Sequence, residues 1–365
     1  MEIAYTANYT LLKELIQQQA TSFWHYFDFL PLDNKSFIVS FGEGAVALEE
    51  WSFLSRYASE NYGINCRVYA YRNDLNGGTN TLKDVAASLT ASVLKENGIS
   101  RYCMSSTGNS ATANARYLSK AGIRFTNFAP ATINDETISE IRSYHQTCII
   151  SAGDYMQAKR EAVDFSEKEG VLMSIGNIDP MRIEAKRTMV FEFLRQLGRL
   201  PDVYMQAVAG GTGPIALDKG FREIKDHFPG LSMPRLLLVQ QDLCDPMVQA
   251  WEKAKREGFP ENYELHYPVI NHPPTSVFIL SAGHPSMYPL VAPIVKKSAG
   301  DFIRIKETEL RDYAQIVRKE KGIRIGPAAT VCFAGFYQAL MENKIRNGET
   351  VVINIGESGK LACSL

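Results

Sequence analysis

The sequence lacks a charge excess, a cysteine framework and a long apolar run, and each absence removes a class of protein. Its 365 residues carry 39 Lys and Arg against 40 Asp and Glu, a net charge of −1, whereas nucleic-acid binders normally present a basic face. The six cysteines are scattered, without the spacing of a zinc module or a disulfide framework. No apolar run approaches the length of a membrane span, and the first residues lack a signal-peptide pattern. We therefore expect a cytoplasmic protein that binds neither nucleic acid nor membrane.

What is present is a globular composition in which short apolar runs alternate with segments of helical period. Hydrophobic residues make up 45% and charged residues 22% of the chain, the usual proportions of a folded domain. Strands are predicted at residues 68–71, 103–105, 123–129, 203–209, 236–240 and 351–355. Helices are predicted at residues 85–93, 110–120 and 214–227. This alternation predicts an α/β fold with mostly parallel sheets and helices on both faces, and the length suggests about two domains.

A glycine-rich segment, residues 209–214, lies between a predicted strand and a predicted helix. Its glycines permit a tight turn that aims several backbone N–H groups at one point, and the helix adds its positive dipole end. This pattern predicts a phosphate site, with an empty tight turn as the alternative. Gly211, Thr212, Gly213 and the next three residues also fit the dinucleotide pattern G-x-G-x-x-G/A, which keeps a nicotinamide cofactor open.

Two polar loops also precede helices. The hydroxyl and N–H groups of residues 105–110 could bind a carboxylate at a helix N-terminus. Asn109 or Ser110 could equally be a plain N-cap residue. Residues 75–84 end beside a helix start, whose dipole favours the free amine of Lys83 that Schiff-base chemistry needs. A solvated surface lysine is the alternative, and the neighbouring Asp84 favours the ammonium form.

In their order along the chain, these segments resemble the pyridoxal-phosphate (PLP) enzymes of fold type II, and among them the threonine synthases. Residues 76–84 are similar to the family's NPTGSFKD loop with one residue added, residues 106–110 to its STGNT loop, and residues 210–213 to its phosphate loop. Four further family segments are similar to residues 41–48, 283–289, 322–329 and 351–360. Departures such as Leu82, where the family has phenylalanine, suggest a divergent paralogue.

The resemblance implies a role for particular residues. Lys83 would hold PLP as a Schiff base and shuttle the α-proton, and Asn109 would bind the 3′-oxygen of the cofactor. The carboxylate of an amino acid substrate would be bound by Ser106, Thr107, Gly108 and Ser110. The cofactor phosphate would be bound by Gly210, Gly211, Thr212 and Gly213. Ser358 is the nearest hydroxyl, and Glu357 the nearest acid, that could face the pyridine nitrogen.

The resemblance also implies an architecture, that of the tryptophan synthase β-like fold. Residues 1–83 and 176–365 would form the large PLP-binding domain, and residues 84–175 a smaller mobile domain that closes over the substrate. A homodimer is the assembly that the family implies. Arg72, Arg116 and Lys360 lie near matched segments and could be considered for a second phosphate pocket, but as isolated residues they are expected to be solvated surface charges.

These inferences favour a PLP-dependent lyase or transferase that acts on an amino acid with a leaving group at Cβ or Cγ. Conversion of O-phosphohomoserine to threonine is the nearest named reaction, and β-replacement on O-phosphoserine or O-acetylserine is the alternative within the class. A nicotinamide oxidoreductase would use the Gly211 loop with Asp242 as its ribose ligand, although Asp242 lies farther along the chain than that fingerprint requires. A non-catalytic ligand-binding paralogue is the third possibility. No metal is expected, because the histidines lack ligand spacing.

Overall fold

The structure is a computed structural model that describes residues 3–4 and 7–359. The chain forms two compact units. The first comprises the described part of Met1–Ala45 together with Asn76–Thr188, and the second comprises Val46–Leu75 with the described part of Met189–Leu365. The mobile domain expected from the sequence, residues 84–175, lies wholly within the first unit, and its mobility stays a prediction.

The regular elements of the described chain alternate as the sequence predicts. Its strands are β1 (Leu48–Glu50), β2 (Arg67–Tyr71), β3 (Arg101–Ser105), β4 (Arg124–Pro130), β5 (Thr147–Ser151), β6 (Leu172–Met173), β7 (Val203–Ala207), β8 (Arg235–Gln241), β9 (Asp301–Ile305) and β10 (Thr350–Asn354). Its α-helices are α1 (Tyr9–Leu15), α2 (Ser52–Tyr62), α3 (Lys83–Glu96), α4 (Asn109–Ala121), α5 (Asp135–Ser143), α6 (Tyr155–Glu169), α7 (Pro180–Leu197), α8 (Thr212–Ile224), α9 (Pro246–Arg256), α10 (Tyr288–Lys297), α11 (Leu310–Lys321) and α12 (Pro327–Met341). Among the described helices, none combines the length and apolarity needed to cross a bilayer.

The first unit is built on a four-stranded parallel sheet in the order β5-β4-β3-β6. One apolar core contains Tyr117 and Leu118 of α4, and a separate core contains Ala158 and Ala162 of α6, so both helices bury an apolar stripe in this unit. α4 is followed by Gly122, which adopts the left-handed conformation typical of a glycine after a helix end. α3 packs against α4, and Tyr117 in the third turn of α4 lies close to Asp84 at the start of α3.

The second unit contains a six-stranded sheet in the order β1-β2-β10-β7-β8-β9, in which only β1 runs antiparallel to its neighbour among the described pairings. Helix α12 is apolar all round because it lies in the core, where Phe333 contacts Trp51 at a ring distance of 5.9 Å. Strands β7 and β10 are parallel neighbours. The loops that follow them therefore leave the same edge of the sheet.

The α/β prediction is confirmed, and its inaccuracies lie at element ends. Helix α8 begins at Thr212 rather than at Pro214, because Gly211 already supplies the left-handed N-cap residue (φ 74°). Strand β7 ends at Ala207, two residues before the predicted end. Helix α4 starts one residue before the predicted Ser110, at Asn109.

Candidate active site

The loop that carries Lys83 is held against residues 41–44 by hydrogen bonds and by close backbone packing. The Oδ1 atom of Asn76 accepts a hydrogen bond from Gly44 N at 2.8 Å, and its Nδ2 donates to Thr81 O at 3.0 Å. A Cβ atom at position 77 would lie 1.9 Å from the carbonyl oxygen of Phe41, so only glycine fits there. Lys83 is the first residue of α3 and is half-buried. The two sequence motifs, residues 41–44 and 76–84, thus form one rigid support for the Lys83 amine.

Asp84 is a fully buried carboxyl that ties the same loop together. Its Oδ1 accepts hydrogen bonds from Thr79 N and Thr79 Oγ1, both at 2.8 Å, and its Oδ2 accepts from Thr81 N at 2.9 Å. Burial, and the charge of the buried Glu43, raise the pKa of Asp84 to about 7, although the hydrogen bonds from the loop oppose that shift. Tyr117 donates to Glu43 Oε2 at 2.7 Å. Neither carboxyl was identified as functional from the sequence.

The second loop, residues 106–110, lies between β3 and α4 and presents an uncapped helix N-terminus. Gly108 is the N-cap residue and supplies no side-chain cap, so the interpretation of Asn109 or Ser110 as a plain N-cap is wrong. Asn109 is instead the first residue of α4, followed by Ser110. Ser106 N donates to Phe128 O at 3.2 Å, which fixes the loop to β4. Ser106, Thr107 and Ser110 remain partly exposed, which suits groups that bind a small carboxylate.

The third loop joins β7 to α8 and contains Gly210, Gly211, Thr212 and Gly213. Gly211 has a positive φ, and a Cβ there would lie 2.5 Å from Val291 Cγ2. A Cβ at Gly213 would lie 2.2 Å from Gln206 Oε1. No side chain caps α8 at its N-cap position. The backbone N–H groups at the start of α8 therefore form the kind of concave cradle that binds a phosphate.

Ser358 and Glu357 follow β10, at the sheet edge shared with the glycine loop of β7. The Glu357 carboxylate accepts a hydrogen bond from Ala328 N at 2.7 Å, at the start of α12, and it fills the space that a side chain at Gly326 would take. The Ser358 hydroxyl, by contrast, is buried without a hydrogen-bond partner in the described chain. A buried hydroxyl without a partner is costly unless a ligand supplies one. Ser358 is thus the better candidate for a contact with a ring nitrogen.

Two basic residues of α7, Arg182 and Lys186, were not identified from the sequence. They lie four residues apart in the first two turns of α7. Arg182 contacts Asn177 Oδ1 at 3.4 Å and Ser174 Oγ at 3.5 Å. Lys186 is only 3% exposed, and burial together with the charges of Lys83 and Arg182 lowers its pKa well below the usual range. A sequence signal existed, a basic i, i+4 pair just after a proline helix start, but that pattern normally marks a solvated face.

The basic residues considered from the sequence have other partners. Arg72 is not a solvated charge: it is buried and donates to Asp74, with Nε and Nη2 each at 2.8 Å, and it pairs with Glu49. Arg116 lies over the rings of Phe41 and Tyr144, at 4.6 and 5.6 Å from their centroids. Lys360 lies outside the described residues.

Asp242, considered as the ribose ligand of a nicotinamide cofactor, also has a hydrogen-bond partner within the protein. Asp242 Oδ1 accepts a hydrogen bond from Glu307 N at 3.0 Å. Among the described residues, no group of three or more histidine, cysteine, aspartate or glutamate side chains is arranged to hold a metal ion.

The described residues fit PLP, which carries an aldehyde, a phosphate and a ring nitrogen. Lys83 offers an amine at a helix start, the glycine loop of α8 offers a cradle that a Cβ would fill, and Ser358 offers a buried hydroxyl without a partner. Each chemical group of the cofactor therefore has a matching group in the chain.

Sequence comparison agrees with this fit. The family described as "Pyridoxal-phosphate dependent enzyme" matches residues 39–356. The threonine synthase of Methanocaldococcus jannaschii is 24% identical over 342 residues, covering 93% of this chain and 80% of that protein. The cysteate synthase of Methanococcoides burtonii is 26% identical over 354 residues, covering 95% and 82%.

Solved structures share the fold at lower identity. Threonine deaminase isoform 2 from Solanum lycopersicum superposes with a TM-score of 0.68 at 18% identity, over 86% of this chain and 79% of that one. The cysteine synthase of Entamoeba histolytica gives a TM-score of 0.67 at 19% identity, over 88% and 87%. The fold is that of the fold-type II PLP enzymes, which leaves the nicotinamide interpretation without support. The chain belongs to the pyridoxal-phosphate dependent enzyme family, and PLP is its cofactor.

Proposed function

We propose that this enzyme eliminates or replaces a phosphate leaving group on an amino acid, with conversion of O-phosphohomoserine to threonine as the leading reaction. The single observation that carries the phosphate assignment is the pair of basic residues Arg182 and Lys186 at the start of α7, with Lys83 and Arg182 both acting on the charge of Lys186. The amino acid carboxylate and the cofactor phosphate already have a proposed site each. A guanidinium together with a buried amine, whose charged form a bound anion would favour, suits a third anion, the phosphate of the substrate.

In this proposal each part of the chain has a separate task. PLP, when bound, supplies the electron sink that makes substrate carbanions accessible. Lys83 holds the cofactor covalently and accepts the α-proton of the substrate, and Asn109 binds the 3′-oxygen. Ser358 donates its hydroxyl proton to the ring nitrogen or accepts from it. The substrate carboxylate is bound by Ser106, Thr107, Gly108 and Ser110. The cofactor phosphate is bound by Gly210, Gly211, Thr212 and Gly213.

Two other substrate assignments are open to test. β-Replacement on O-phosphoserine would use the same pair of basic residues, Arg182 and Lys186, for its phosphate. O-acetylserine is less suited, because an acetyl ester has no anion for Arg182 and Lys186. A non-catalytic paralogue is the remaining alternative. We also propose that the enzyme is cytoplasmic. The family resemblance implies that it works as a homodimer.

An absorption spectrum tests the role of Lys83. Purified wild-type protein supplied with PLP should be yellow, and borohydride should bleach it while fixing the cofactor to the chain. Lys83→Ala should lack the bleachable band and carry no fixed cofactor by mass spectrometry. Lys95→Ala is the matched control, because Lys95 is an exposed lysine near the other end of α3. A wild type that stays colourless, or a Lys83→Ala variant that is modified like the wild type, would contradict the assignment.

A substrate panel tests the leaving group. O-phosphohomoserine, O-phosphoserine and O-acetylserine are each incubated with the PLP-loaded enzyme, and phosphate or acetate release is measured. We expect the phosphorylated substrates to have a kcat/KM at least tenfold above the acetylated one, a difference of about 1.4 kcal/mol. A preference for O-acetylserine would contradict the phosphate assignment while leaving the cofactor assignment intact.

A further inference from the structure

The hydroxyl of Tyr117, in the third turn of α4, joins this helix to residues 41–44. Tyr117 is fully buried and donates to Glu43 Oε2 at 2.7 Å, and its ring packs edge-on against that of Phe41, with 5.0 Å between the centroids. Glu43 is also fully buried, and its Oε2 accepts a second hydrogen bond, from Phe41 N at 2.8 Å. Its Oε1 is buried without a hydrogen-bond partner in the described chain. The Tyr117 hydroxyl therefore supplies one of the two hydrogen bonds that this buried carboxyl receives from the described residues.

The same hydroxyl lies against the loop that carries Lys83. A Cβ atom at Gly78 would lie 2.4 Å from Tyr117 Oη and 2.4 Å from Asp84 Oδ1, closer than Cβ atoms approach in proteins. Only glycine therefore lets the loop backbone pass this close to both oxygens. Beyond this point hydrogen bonds close the loop, because Thr81 N donates to Asp84 Oδ2 at 2.9 Å and Lys83 N donates to Thr81 Oγ1 at 3.2 Å. The contact at Gly78 is thus connected to Lys83 through a short hydrogen-bonded turn.

Helix α4 begins with residues of the loop proposed to bind the substrate carboxylate. Asn109 is its first residue, and Ser110 lies two turns before Tyr117, about 10 Å along the helix axis. Asn114 Nδ2 donates to Ser110 O at 2.8 Å, which adds a side-chain bond to the backbone bonds of the first turns. Because α4 is continuous over these turns, Tyr117 links the carboxylate loop at the helix start to the Lys83 loop, within the first unit.

Two other side chains of α4 hold residues 40–41 without making this link. The Arg116 guanidinium lies 4.6 Å from the centroid of the Phe41 ring, and Lys120 Nζ lies 4.1 Å from it. Lys120 also donates to Ser40 O. The three heavy atoms nearest to a Cβ at Gly78, however, belong to Asp84 and Tyr117. Arg116 and Lys120 therefore attach α4 to residues 40–41, whereas Tyr117 also sets its distance from the Lys83 loop.

We propose that Tyr117 is a positioning residue which, through its hydrogen bond to Glu43, fixes the distance between the Lys83 loop and the carboxylate loop. The inference rests on the proposed function, in which Lys83 holds PLP and residues 106–110 bind the substrate carboxylate. An amino acid held by its carboxylate must bring its amine to the carbon that joins PLP to Lys83. A misplacement of about 1 Å at such a step can lower its rate roughly a hundredfold.

The first experiment needs neither cofactor nor substrate. Deuterium exchange of the backbone amides of residues 76–84 is measured by mass spectrometry on the cofactor-free protein. In Tyr117→Phe, the amides that donate to Asp84 should exchange about tenfold faster or more, because the loop loses its contact with α4. Tyr144→Phe is the matched control, since the Tyr144 hydroxyl donates to another glutamate of the same unit, Glu140, at 3.1 Å. Equal exchange in Tyr117→Phe and in the wild type would overturn the proposal.

The second experiment uses the PLP-loaded protein with ligands that carry no leaving group. 2-Aminobutyrate has both an amine and a carboxylate, whereas butyrate has the carboxylate alone. Stopped-flow absorbance follows the rate at which 2-aminobutyrate displaces Lys83, and cofactor fluorescence reports the Kd for butyrate. In the exchange, the ligand nitrogen bonds to the cofactor carbon, the bond from that carbon to Lys83 breaks, and a proton passes from the incoming to the departing nitrogen. No oxidant or reductant is needed.

The two measurements separate positioning from a general loss of structure. At saturating 2-aminobutyrate, Tyr117→Phe should displace Lys83 about tenfold more slowly or worse, while its Kd for butyrate stays within about threefold of the wild type. Tyr144→Phe should match the wild type in both. Equal losses in rate and in butyrate affinity would mean a structural role, and two unchanged values would mean no role. Either result would overturn the proposal.

A double-mutant cycle tests whether Tyr117 acts through Glu43. Glu43→Gln keeps the shape of the side chain and removes the charge to which the Tyr117 hydroxyl donates. If both residues act through this one hydrogen bond, the double variant should displace Lys83 no more slowly than the slower single variant. Losses that multiply in the double variant would mean two independent effects and would overturn the proposed action through Glu43.

These outcomes also separate the inference from the proposed function. If borohydride fixes no PLP to Lys83 of the wild type, the proposed function fails, and deuterium exchange still shows whether Tyr117 holds the loop. If Lys83 holds PLP but Tyr117→Phe exchanges deuterium and displaces Lys83 like the wild type, only the Tyr117 inference fails.

Discussion

At the residue scale, the ionisation of Asp84 makes the stability of the folded protein depend on pH. Its carboxyl is fully buried and accepts three hydrogen bonds from the two threonines of that loop. Its pKa, raised to about 7 mainly by burial, lies well above that of an unfolded aspartate. The folded protein therefore holds this proton over a pH range in which the unfolded chain releases it.

This difference predicts that the Asp84 contribution to stability is greatest below pH 4 and is lost as the pH rises through 7. Between pH 5 and 8 the loss should be roughly 3 kcal/mol, since each pKa unit corresponds to about 1.4 kcal/mol. Thermal unfolding of cofactor-free wild type and Asp84→Asn, measured across that range, checks it. The difference in melting temperature should shift in favour of Asp84→Asn as the pH rises. A difference that does not vary with pH would mean that Asp84 is ionised throughout.

The sequence identified Lys83 but not Lys186, and the reason is physical. Lys83 follows a polar loop of recognisable composition, and the contacts of Asn76 and Gly77 show why that composition is required. Lys186 belongs to an ordinary amphipathic pattern, in which a lysine is normally solvated. Its burial depends on how α7 packs in the folded unit, which periodicity does not specify. The same limit applies to Arg72, which was expected at the surface and is buried against Asp74.

At the scale of elements, strand–loop–helix order was predictable, and the ends of the elements were less so. The β7–loop–α8 and β3–loop–α4 units were predicted because glycine and small polar residues separate an apolar run from a helical period. The exact helix starts depended on backbone conformation at Gly108 and Gly211, which the residue type permits but does not dictate. Strands β1, β5, β6 and β9 were not predicted, and β6, with two residues, is too short to carry a period.

The glycine loop before α8 should bind phosphate less well when its backbone is forced to change. In Gly211→Ala, the new Cβ would collide with Val291 Cγ2 and sit at a positive φ, which costs about 1–2 kcal/mol for a residue with a side chain. We expect PLP affinity to fall at least tenfold, measured by fluorescence titration of the cofactor-free protein.

A second substitution separates the two causes of that loss. Adding Val291→Ala to Gly211→Ala removes the collision but keeps the positive φ, so PLP affinity should recover only in part. Gly63→Ala, also at a positive φ but with open space around it, controls for backbone strain remote from the loop. Unchanged PLP affinity in Gly211→Ala would mean that this loop does not hold the cofactor phosphate.

At the scale of the whole molecule, the family and the substrate are assigned from different kinds of information. Relatives named threonine synthase and cysteate synthase match almost the whole chain at similar identity, so overall similarity does not choose between their reactions. The parts proposed to distinguish substrates are a few side chains, such as Arg182 and Lys186, in an otherwise shared fold. The cofactor assignment, by contrast, is supported by several sequence segments together, and each of these segments could be recognised in the sequence.

Because the Lys83 loop, the glycine loop and Ser358 are all proposed to bind one cofactor, PLP should stabilise the whole protein by mass action. A ligand present at 100 times its Kd adds about 2.7 kcal/mol to the free energy of unfolding. In a chain of this length, with about 2 cal/mol/K of unfolding entropy per residue, that corresponds to a rise in melting temperature of roughly 3–4 °C. Lys83→Ala should show a smaller rise at equal PLP concentration, because it keeps the phosphate cradle and Ser358 but loses the covalent bond. Scanning calorimetry of cofactor-free protein with and without PLP measures both. A Lys83→Ala variant stabilised as much as the wild type would mean that the amine adds nothing to cofactor binding, and a wild type that PLP does not stabilise would contradict the assignment of all these loops.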